Sequence, residues 1–161
     1  MIRLVFSLRR KPGLSREEFQ DYWLNKHAPL VASVSSDLDI LRYVQTHTLT
    51  DPANAAAQSA RGNMEPEYDG VAELWWASEV ALTDKLKNAA THEDGAALLE
   101  DEAKCIDLPN SPLWFAYEYP QINPSPEDVT AKVKSNVVRV FFPLRHQSQI
   151  SEADARHYWL T

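Results

Sequence analysis

The stretch Leu14 to Val31, LSREEFQDYWLNKHAPLV, contains both a helix start signal and a broad apolar face. Ser15 followed three positions later by Glu18 is a capping box, in which each side chain satisfies a free backbone N–H of the other residue. Four apolar residues then recur at helical spacing: Phe19, Tyr22, Trp23 and Leu30. The pattern predicts an amphipathic helix whose aromatic face packs on a sheet and anchors the core.

His27 lies one helical turn after Trp23, at the edge of this apolar face. Pro29 has no N–H to donate to the carbonyl of Asn25, so we expect the helix to kink or fray there. The carbonyl groups at a helix end or bend favour a protonated imidazole, which suits a proton donor. His27 is therefore the best single candidate for chemistry, and a hydrogen bond from its ring to a backbone carbonyl is the structural alternative.

Composition and charge describe a globular protein with one main core. The chain has 161 residues, of which 44% are hydrophobic and 10% aromatic, and its net charge is −7. The negative charge argues against nucleic acid or an anionic membrane as the main partner, because either would be repelled. A single cysteine, Cys105, excludes an internal disulfide, and no stretch has the length of a membrane span. We expect a cytoplasmic protein.

Strands and helices alternate along the chain in a familiar order. Four segments are predicted as strands: 2–9, 37–49, 68–77 and 111–119. Besides the 14–31 helix, helices are predicted over 78–90 and from Thr91 to Cys105, with a short one at 54–60 inside a long 51–67 connection. This β-α-β-β-α-β order predicts an α+β, ferredoxin-like split βαβ fold: a four-stranded antiparallel sheet with helices on one face. The other face is too aromatic to remain in water, so we expect a second copy, another domain or a ligand to cover it.

The end of the chain repeats its beginning. Without a gap, at an offset of 136, the following residues recur: Arg3, Phe6, Leu8, Arg9, Ser15, Tyr22, Trp23 and Leu24 as Arg139, Phe142, Leu144, Arg145, Ser151, Tyr158, Trp159 and Leu160. Such a match indicates internal duplication. We expect a domain over 1–119, a linker over 120–136 and the start of a truncated second copy over 137–161. A tail that docks on the first sheet, or swaps onto another chain, is the alternative.

Three stretches carry a family resemblance: KPGLSREEFQDYWLNKHAPLV at 11–31, YDGVAELWWAS at 68–78 and DEAKCID at 101–107. They resemble the EthD-like family of the dimeric α+β barrel superfamily, over residues 1 to about 119 and again in part over 138–161. The resemblance implies a sheet that packs on a second sheet to close a barrel, in a homodimer or, with tandem copies, in an intramolecular pseudo-dimer. Family members are described as accessory proteins of ether degradation, and relatives in fungal polyketide pathways act as cofactor-free decarboxylases. Other relatives in the superfamily are monooxygenases and cyclases. The resemblance places the family's histidine on His27 and its aspartate before a glycine on Asp69.

Further candidate site residues lie on the predicted strands. His47 follows Tyr43 and Gln45 on one face of the second strand, where it is either catalytic or a partner in a polar stripe. Asp69 either orients a histidine or has a turn or cap role beside Gly70. The predicted aromatic wall for a planar ligand consists of Tyr43, Trp75 and Trp76, although aromatic stripes of this kind are more often core.

No cofactor or metal is expected. The chain has no Gly-rich phosphate loop, CxxC pair or nucleophile elbow, and the candidate residues His27, His47 and Asp69 lack local metal-ligand spacing. The first hypothesis is a cofactor-independent enzyme, a lyase or decarboxylase or a cofactor-free oxidoreductase. It would act by proton transfer on a small aromatic or polyketide-like carbonyl compound, in decarboxylation, dehydration, cyclisation or monooxygenation. The alternative is a non-catalytic accessory protein that holds an apolar metabolite. An inward-facing histidine with an acidic partner favours the enzyme, and a purely apolar pocket favours the binding protein.

Overall fold

The computed structural model describes residues 1–62, 64–89, 93–122 and 130–160. It divides into two compact units, Met1–Gln121 and Ile122–Thr161. The strands of the first unit are β1 (Ile2–Leu8), β2 (Arg42–His47), β3 (Gly70–Trp76) and β4 (Leu113–Ala116). Its helices are α1 (Arg16–Tyr22), a π-helix (Trp23–His27), α2 (Ala28–Val34), α3 (Pro52–Ser59), α4 (Glu79–Ala89), α5 (Glu93–Cys105) and a short 3₁₀ turn (Leu108–Asn110).

The four strands form one antiparallel sheet in the order β2-β3-β1-β4. Leu4 of β1 lies opposite Leu74 of β3 and Phe115 of β4, and Tyr43 of β2 also lies opposite Leu74. Because residues directly opposite each other share a face, Leu4, Leu74, Phe115 and Tyr43 all point to the same side of the sheet. The predicted ferredoxin-like fold class is confirmed.

The main core lies between this side of the sheet and the helices. Its buried members are Leu8, Phe19, Trp23, Ala72, Cys105 and Ile106. The capping box is formed as predicted, since Ser15 Oγ accepts from the N–H of Glu18 and Glu18 accepts from the N–H of Ser15. The amphipathic helix therefore anchors the core through Phe19 and Trp23, as its spacing indicates.

Pro29 does not end the helix, which corrects the expected kink. The chain passes instead through the π-helix, where the N–H of Ala28 bonds the carbonyl of Trp23, five residues earlier. Pro29 then lies in the first turn of α2, where a missing N–H costs least. The helix continues to Val34, so His27 lies within a long helical segment and not at its end.

Two strands, β2 and β4, are much shorter than predicted. Residues 37–41 belong to a turn after α2, in which Asp39 has a φ of 54° and the N–H of Ile40 bonds the carbonyl of Ser35. The turn satisfies the end of the helix and delays the start of β2 to Arg42. β4 covers only four residues of the predicted 111–119, and α5 begins at Glu93, the predicted start at Thr91 lying outside the described residues.

The second unit contains helix α6 (Glu152–Leu160). Over the described residues 130–150 no strand is assigned, so the strand expected near residue 138 is not formed as a hydrogen-bonded ladder there. Residues 123–129 of the predicted linker lie outside the described residues. In the described part of the chain, no helix is both long and apolar enough to cross a membrane.

Candidate active site

His27 is held at the end of the π-helix, facing helix α5. Its side chain is buried, with the residue 4% exposed, and its Nδ1 lies 2.9 Å from Oδ2 of Asp101. Asp101 is also buried, 7% exposed, and comes from the middle of α5, 74 residues further along the chain. A buried imidazole paired with a buried carboxylate is the arrangement that fixes the orientation and tautomer of a catalytic histidine.

The second oxygen of Asp101 has its own donors. The hydroxyl of Tyr22 donates to Oδ1 over 2.6 Å, and Nζ of Lys104 lies 3.4 Å from the same oxygen. Burial alone would raise the pKa of Asp101, but the hydrogen bonds from Tyr22, His27 and Lys104 together lower it. Asp101 is therefore ionised at neutral pH and accepts the Nδ1 proton of His27.

The other ring nitrogen of His27, Nε2, is the candidate proton-transfer atom. Across the described ranges, Nε2 of His27 makes no hydrogen bond. With the proton of the neutral ring on Nδ1, Nε2 presents a lone pair that can accept a proton from a substrate and later return it. The pair can therefore act first as general base and then as general acid.

Glu102 is a titratable group that the sequence patterns did not single out. It lies next to Asp101 on α5 and is half-buried, and burial together with the charge of Asp101 raises its pKa to about 7. Its charge also acts on the neighbouring Tyr43 and Cys105. A carboxyl that titrates near neutral pH beside one that stays ionised is a pattern common at catalytic sites.

Three polar side chains of β2, which are Tyr43, Gln45 and His47, face the π-helix and hold it against the sheet. The amide of Gln45 donates to the carbonyl of Trp23 and to the hydroxyl of Tyr43, each over 2.8 Å. His47 stacks on Trp23 with ring centroids 4.7 Å apart, and its Nε2 lies 3.0 Å from Oε1 of Gln45. Gln45 was not a predicted site residue, yet it is the side chain that ties the π-helix to the sheet.

Burial disfavours the charged forms of His47 and Tyr43. It lowers the pKa of His47 and raises that of Tyr43 to about 12. Both side chains are therefore neutral at physiological pH. Both lie between the sheet and the helices.

Asp69 lies in a separate cluster. Its carboxylate accepts from the N–H of Arg10 over 2.9 Å and forms ion pairs with the guanidinium groups of Arg10 and Arg16. Among the described residues, no hydrogen bond or ion pair joins His27 to Asp69 or to His47. The acidic partner of His27 is thus Asp101 and not Asp69.

A surface cleft of about 390 Å³ lies beside Asp69, and neither His27 nor His47 lines it. Its walls are Arg9, Arg10, Lys11, Pro12, Gly13, Leu14, Arg16, Pro66, Glu67, Asp69 and Asp107. Burial is the largest influence on the Arg16 pKa and would lower it, but its contacts with Glu67 and Asp69 raise it overall. These pairs tie the loop after β1 to the entrance of β3.

The three predicted aromatic wall residues do not form one surface. Trp76 packs with Ile2 and Leu82 on the helix side of the sheet. Trp75 lies on the opposite side, with the guanidinium groups of Arg3 and Arg42 at 5.8 and 4.6 Å from its ring. Tyr43 shares the helix side with Trp76, so only these two could contact one ligand between helix and sheet.

Neither a metal site nor a reactive thiol is evident in the described ranges. No group of three His, Cys, Asp or Glu side chains there is arranged to hold a metal ion. Cys105, the last residue of α5, is buried, and burial followed by the charges of Asp101 and Glu102 raises its pKa to about 12. The thiol is therefore a poor nucleophile.

The EthD domain family matches residues 11–109. Over 38 residues the chain is 42% identical to "Dehydratase ustZ" of Ustilaginoidea virens, covering 24% of this chain and 27% of the relative. Over 47 residues it is 36% identical to "Conidial pigment biosynthesis dehydratase EthD" of Metarhizium robertsii, covering 29% of this chain and 33% of the relative. The matches therefore span a third or less of these relatives' lengths.

Solved structures share the fold at low sequence identity. An ethyl tert-butyl ether d (EthD) family protein of Bacillus halodurans superposes with a TM-score of 0.51 at 18% identity, covering 74% of this chain and 99% of that one. HapK of Hahella chejuensis superposes with a TM-score of 0.50 at 9% identity, covering 78% of this chain and 99% of that one. These likenesses concern the fold. Because the family match spans more than half of the chain, through the capped helix, His27 and Asp101, the chain belongs to the EthD domain family.

Proposed function

We propose that this protein is a cofactor-independent dehydratase that removes water from a small aromatic or polyketide-like β-hydroxy carbonyl compound. The observation that carries the proposal is the buried His27–Asp101 pair, whose Nε2 makes no hydrogen bond among the described residues. An acidic partner on an inward-facing histidine supports an enzyme over a passive binding protein. The names of the two curated relatives, both called dehydratases, support this reaction type.

The proposed reaction needs one proton-transfer group. Nε2 of His27 takes the proton from the carbon between the carbonyl and the hydroxyl-bearing carbon, and the electron pair forms an enolate. As the C–O bond breaks, the imidazolium returns the proton to the departing hydroxyl, which leaves as water, and a conjugated C=C bond forms. Asp101 stabilises the imidazolium between the two steps. After the second step the ring of His27 is again neutral, with its proton on Nδ1.

The reaction can be tested with β-hydroxybutyrophenone, whose dehydration gives an enone with stronger near-ultraviolet absorbance. We expect turnover by the protein, and a loss of at least about 100-fold in kcat/KM for His27→Gln, since a general acid–base group contributes about 10²–10⁴-fold. Asp101→Asn should lose activity as well. His146→Gln is the matched control, because His146 is exposed in the second unit.

The outcomes separate enzyme from binding protein. Full activity of a folded His27→Gln protein would refute the role of His27. If the wild-type protein bound this ketone, by intrinsic tryptophan fluorescence, without converting it, the non-catalytic alternative would be favoured. Near-ultraviolet circular dichroism of each variant shows whether its core is intact.

We also infer that residues 137–161 are the start of a second copy of the first domain, equivalent to residues 1–25. The N–H of Asp154 bonds Ser151 Oγ over 3.1 Å, and the N–H of Glu18 bonds Ser15 Oγ over the same distance, at the repeat offset of 136. The same hydrogen bond to a capping serine at equivalent positions supports a duplication. Replacing 152–158 by the sequence of 16–22 should then preserve the helical circular dichroism of the chain, and loss of helicity would contradict equivalence.

Pairing of sheets between copies is part of the same proposal. β4 is an edge strand, and its exposed apolar residues are Leu113, Trp114 and Phe115. An exposed apolar edge supports coverage by a second copy of the chain, as a homodimer. Light scattering should give a mass of twice 18.3 kDa at micromolar concentration. A mass of one chain would contradict a homodimer.

A further inference from the structure

Tyr22 and His27 bind one carboxylate from positions that an ordinary helix would separate. Each α-helical residue advances by about 100°, so side chains five residues apart point about 140° away from each other. In the π-helix one hydrogen-bonded turn closes over five residues, as in the bond from Ala28 N–H to the carbonyl of Trp23. This wider turn brings Tyr22 and His27 toward the same side, where both reach Asp101.

The two side chains divide the oxygens of Asp101 between them. Tyr22 donates to Oδ1 over 2.6 Å, and His27 pairs with Oδ2 over 2.9 Å. Lys104 is the other donor to Oδ1, but it lies at 3.4 Å and its side chain is 54% exposed, so it restrains the carboxylate less. The short Tyr22 bond is thus the main restraint on the rotation of the carboxylate.

We propose that Tyr22 is a positioning residue: its hydroxyl holds the Asp101 carboxylate in the orientation that keeps the ring proton of His27 on Nδ1. The neutral imidazole of a histidine in water prefers the proton on Nε2, which would block that nitrogen as a base. A fixed acceptor at Nδ1 reverses the preference. The consequence for catalysis rests on the proposed dehydratase function, whereas the consequence for the tautomer does not.

The chemistry of Tyr22 suits a permanent donor. The hydrogen bond to Asp101, then burial, raise the pKa of its phenol to about 12, so it keeps its proton throughout the physiological range. Its ring packs against the core cluster, and Tyr22→Phe retains that packing while it removes only the hydroxyl. The variant is therefore expected to fold.

The test is the tautomer of His27, read from the ¹⁵N chemical shifts of its ring in a pH series, over the range in which the shifts themselves show a neutral ring. In the wild-type protein we expect Nδ1 to carry the proton. In Tyr22→Phe we expect a mixture with a substantial Nε2–H fraction. Tyr68→Phe is the matched control, because Tyr68 lies under Arg9 and has no contact with Asp101. Lys104→Gln should change the tautomer less than Tyr22→Phe does.

An unchanged Nδ1–H tautomer in folded Tyr22→Phe would overturn the proposal, whatever the activity of the protein. If β-hydroxybutyrophenone is dehydrated, Tyr22→Phe should also lower kcat by roughly 10- to 100-fold with little change in KM, since a hydrogen bond to a charged group is worth about 1.5–3 kcal/mol. If that ketone is not dehydrated, the proposed function fails while the tautomer result still decides the role of Tyr22.

Discussion

Glu102→Gln should make the protein more stable at alkaline pH and have little effect at acidic pH. Burial and the adjacent charge of Asp101 raise the pKa of Glu102 from its ordinary 4.5 to about 7. Between these values the folded protein binds more protons than the unfolded chain, so the free energy of unfolding falls as the pH rises through this window. Above about pH 7 the folded protein holds an unfavourable carboxylate, which glutamine removes.

The size of the effect follows from the displacement of the pKa. Each tenfold change in acidity is worth about 1.4 kcal/mol, so the full displacement corresponds to an upper limit of about 3 kcal/mol. A newly placed amide could offset about 1 kcal/mol at every pH if it found no partner. Because this cost is the same at every pH, it drops out when the stability change at acidic pH is subtracted from that at alkaline pH. We expect this difference in the free energy of unfolding to be about 1–3 kcal/mol.

The assay is urea unfolding followed by tryptophan fluorescence at about pH 4 and about pH 8, with the free energies extrapolated to water. Glu100→Gln is the matched control, because Glu100 is exposed two residues earlier on the same helix. A pH-independent effect of Glu102→Gln, or one equal to that of Glu100→Gln, would refute the argument that burial displaces this pKa.

Two further substitutions test the packing around the candidate site. In Gly70→Ala the new Cβ would lie 2.5 Å from Cζ3 of Trp23. We therefore expect the free energy of unfolding in urea to fall by about 1–3 kcal/mol and the near-ultraviolet circular dichroism spectrum to change. Unchanged stability would contradict the close packing of Trp23 on β3. Asp69→Ala removes a buried carboxylate that binds Arg10 and Arg16, and should cost about 2–3 kcal/mol by the same measurement. Asp37→Ala, at an exposed position, is its control, and an equal effect of the two would refute a structural role for the Asp69 cluster.

Local sequence patterns were sufficient for the fold class. The capping box at Ser15, the helical spacing of Phe19 and Trp23, and the alternation in Ile2–Leu8 each depend on residues within one or two turns. Local geometry of this kind is encoded by neighbouring residues, so it can be recognised without a structure. The start of β2 could not be recognised in this way, because the turn around Asp39 depends on where the preceding helix ends.

Of the His27–Asp101 pair, the sequence analysis identified only the histidine. His27 was identified from its place on the helix, but its partner Asp101 lies 74 residues away on α5 and was not among the predicted site residues. The DEAKCID segment contains both Asp101 and Glu102, and its place in the family resemblance was the available signal. Nothing in the spacing of acidic residues on α5 shows which carboxyl faces another helix.

By itself, the sequence determined an α+β, ferredoxin-like fold anchored by a capped aromatic helix, because periodicity and capping act over short distances. The tertiary structure alone decided that Pro29 is accommodated by a π-helix, and that this wider turn aims Tyr22 and His27 at one carboxylate. It also decided that Asp69 binds arginines instead of a histidine. The physical reason is that such pairings depend on how helices rotate and pack across the layers, and side chains far apart in the chain settle that packing together.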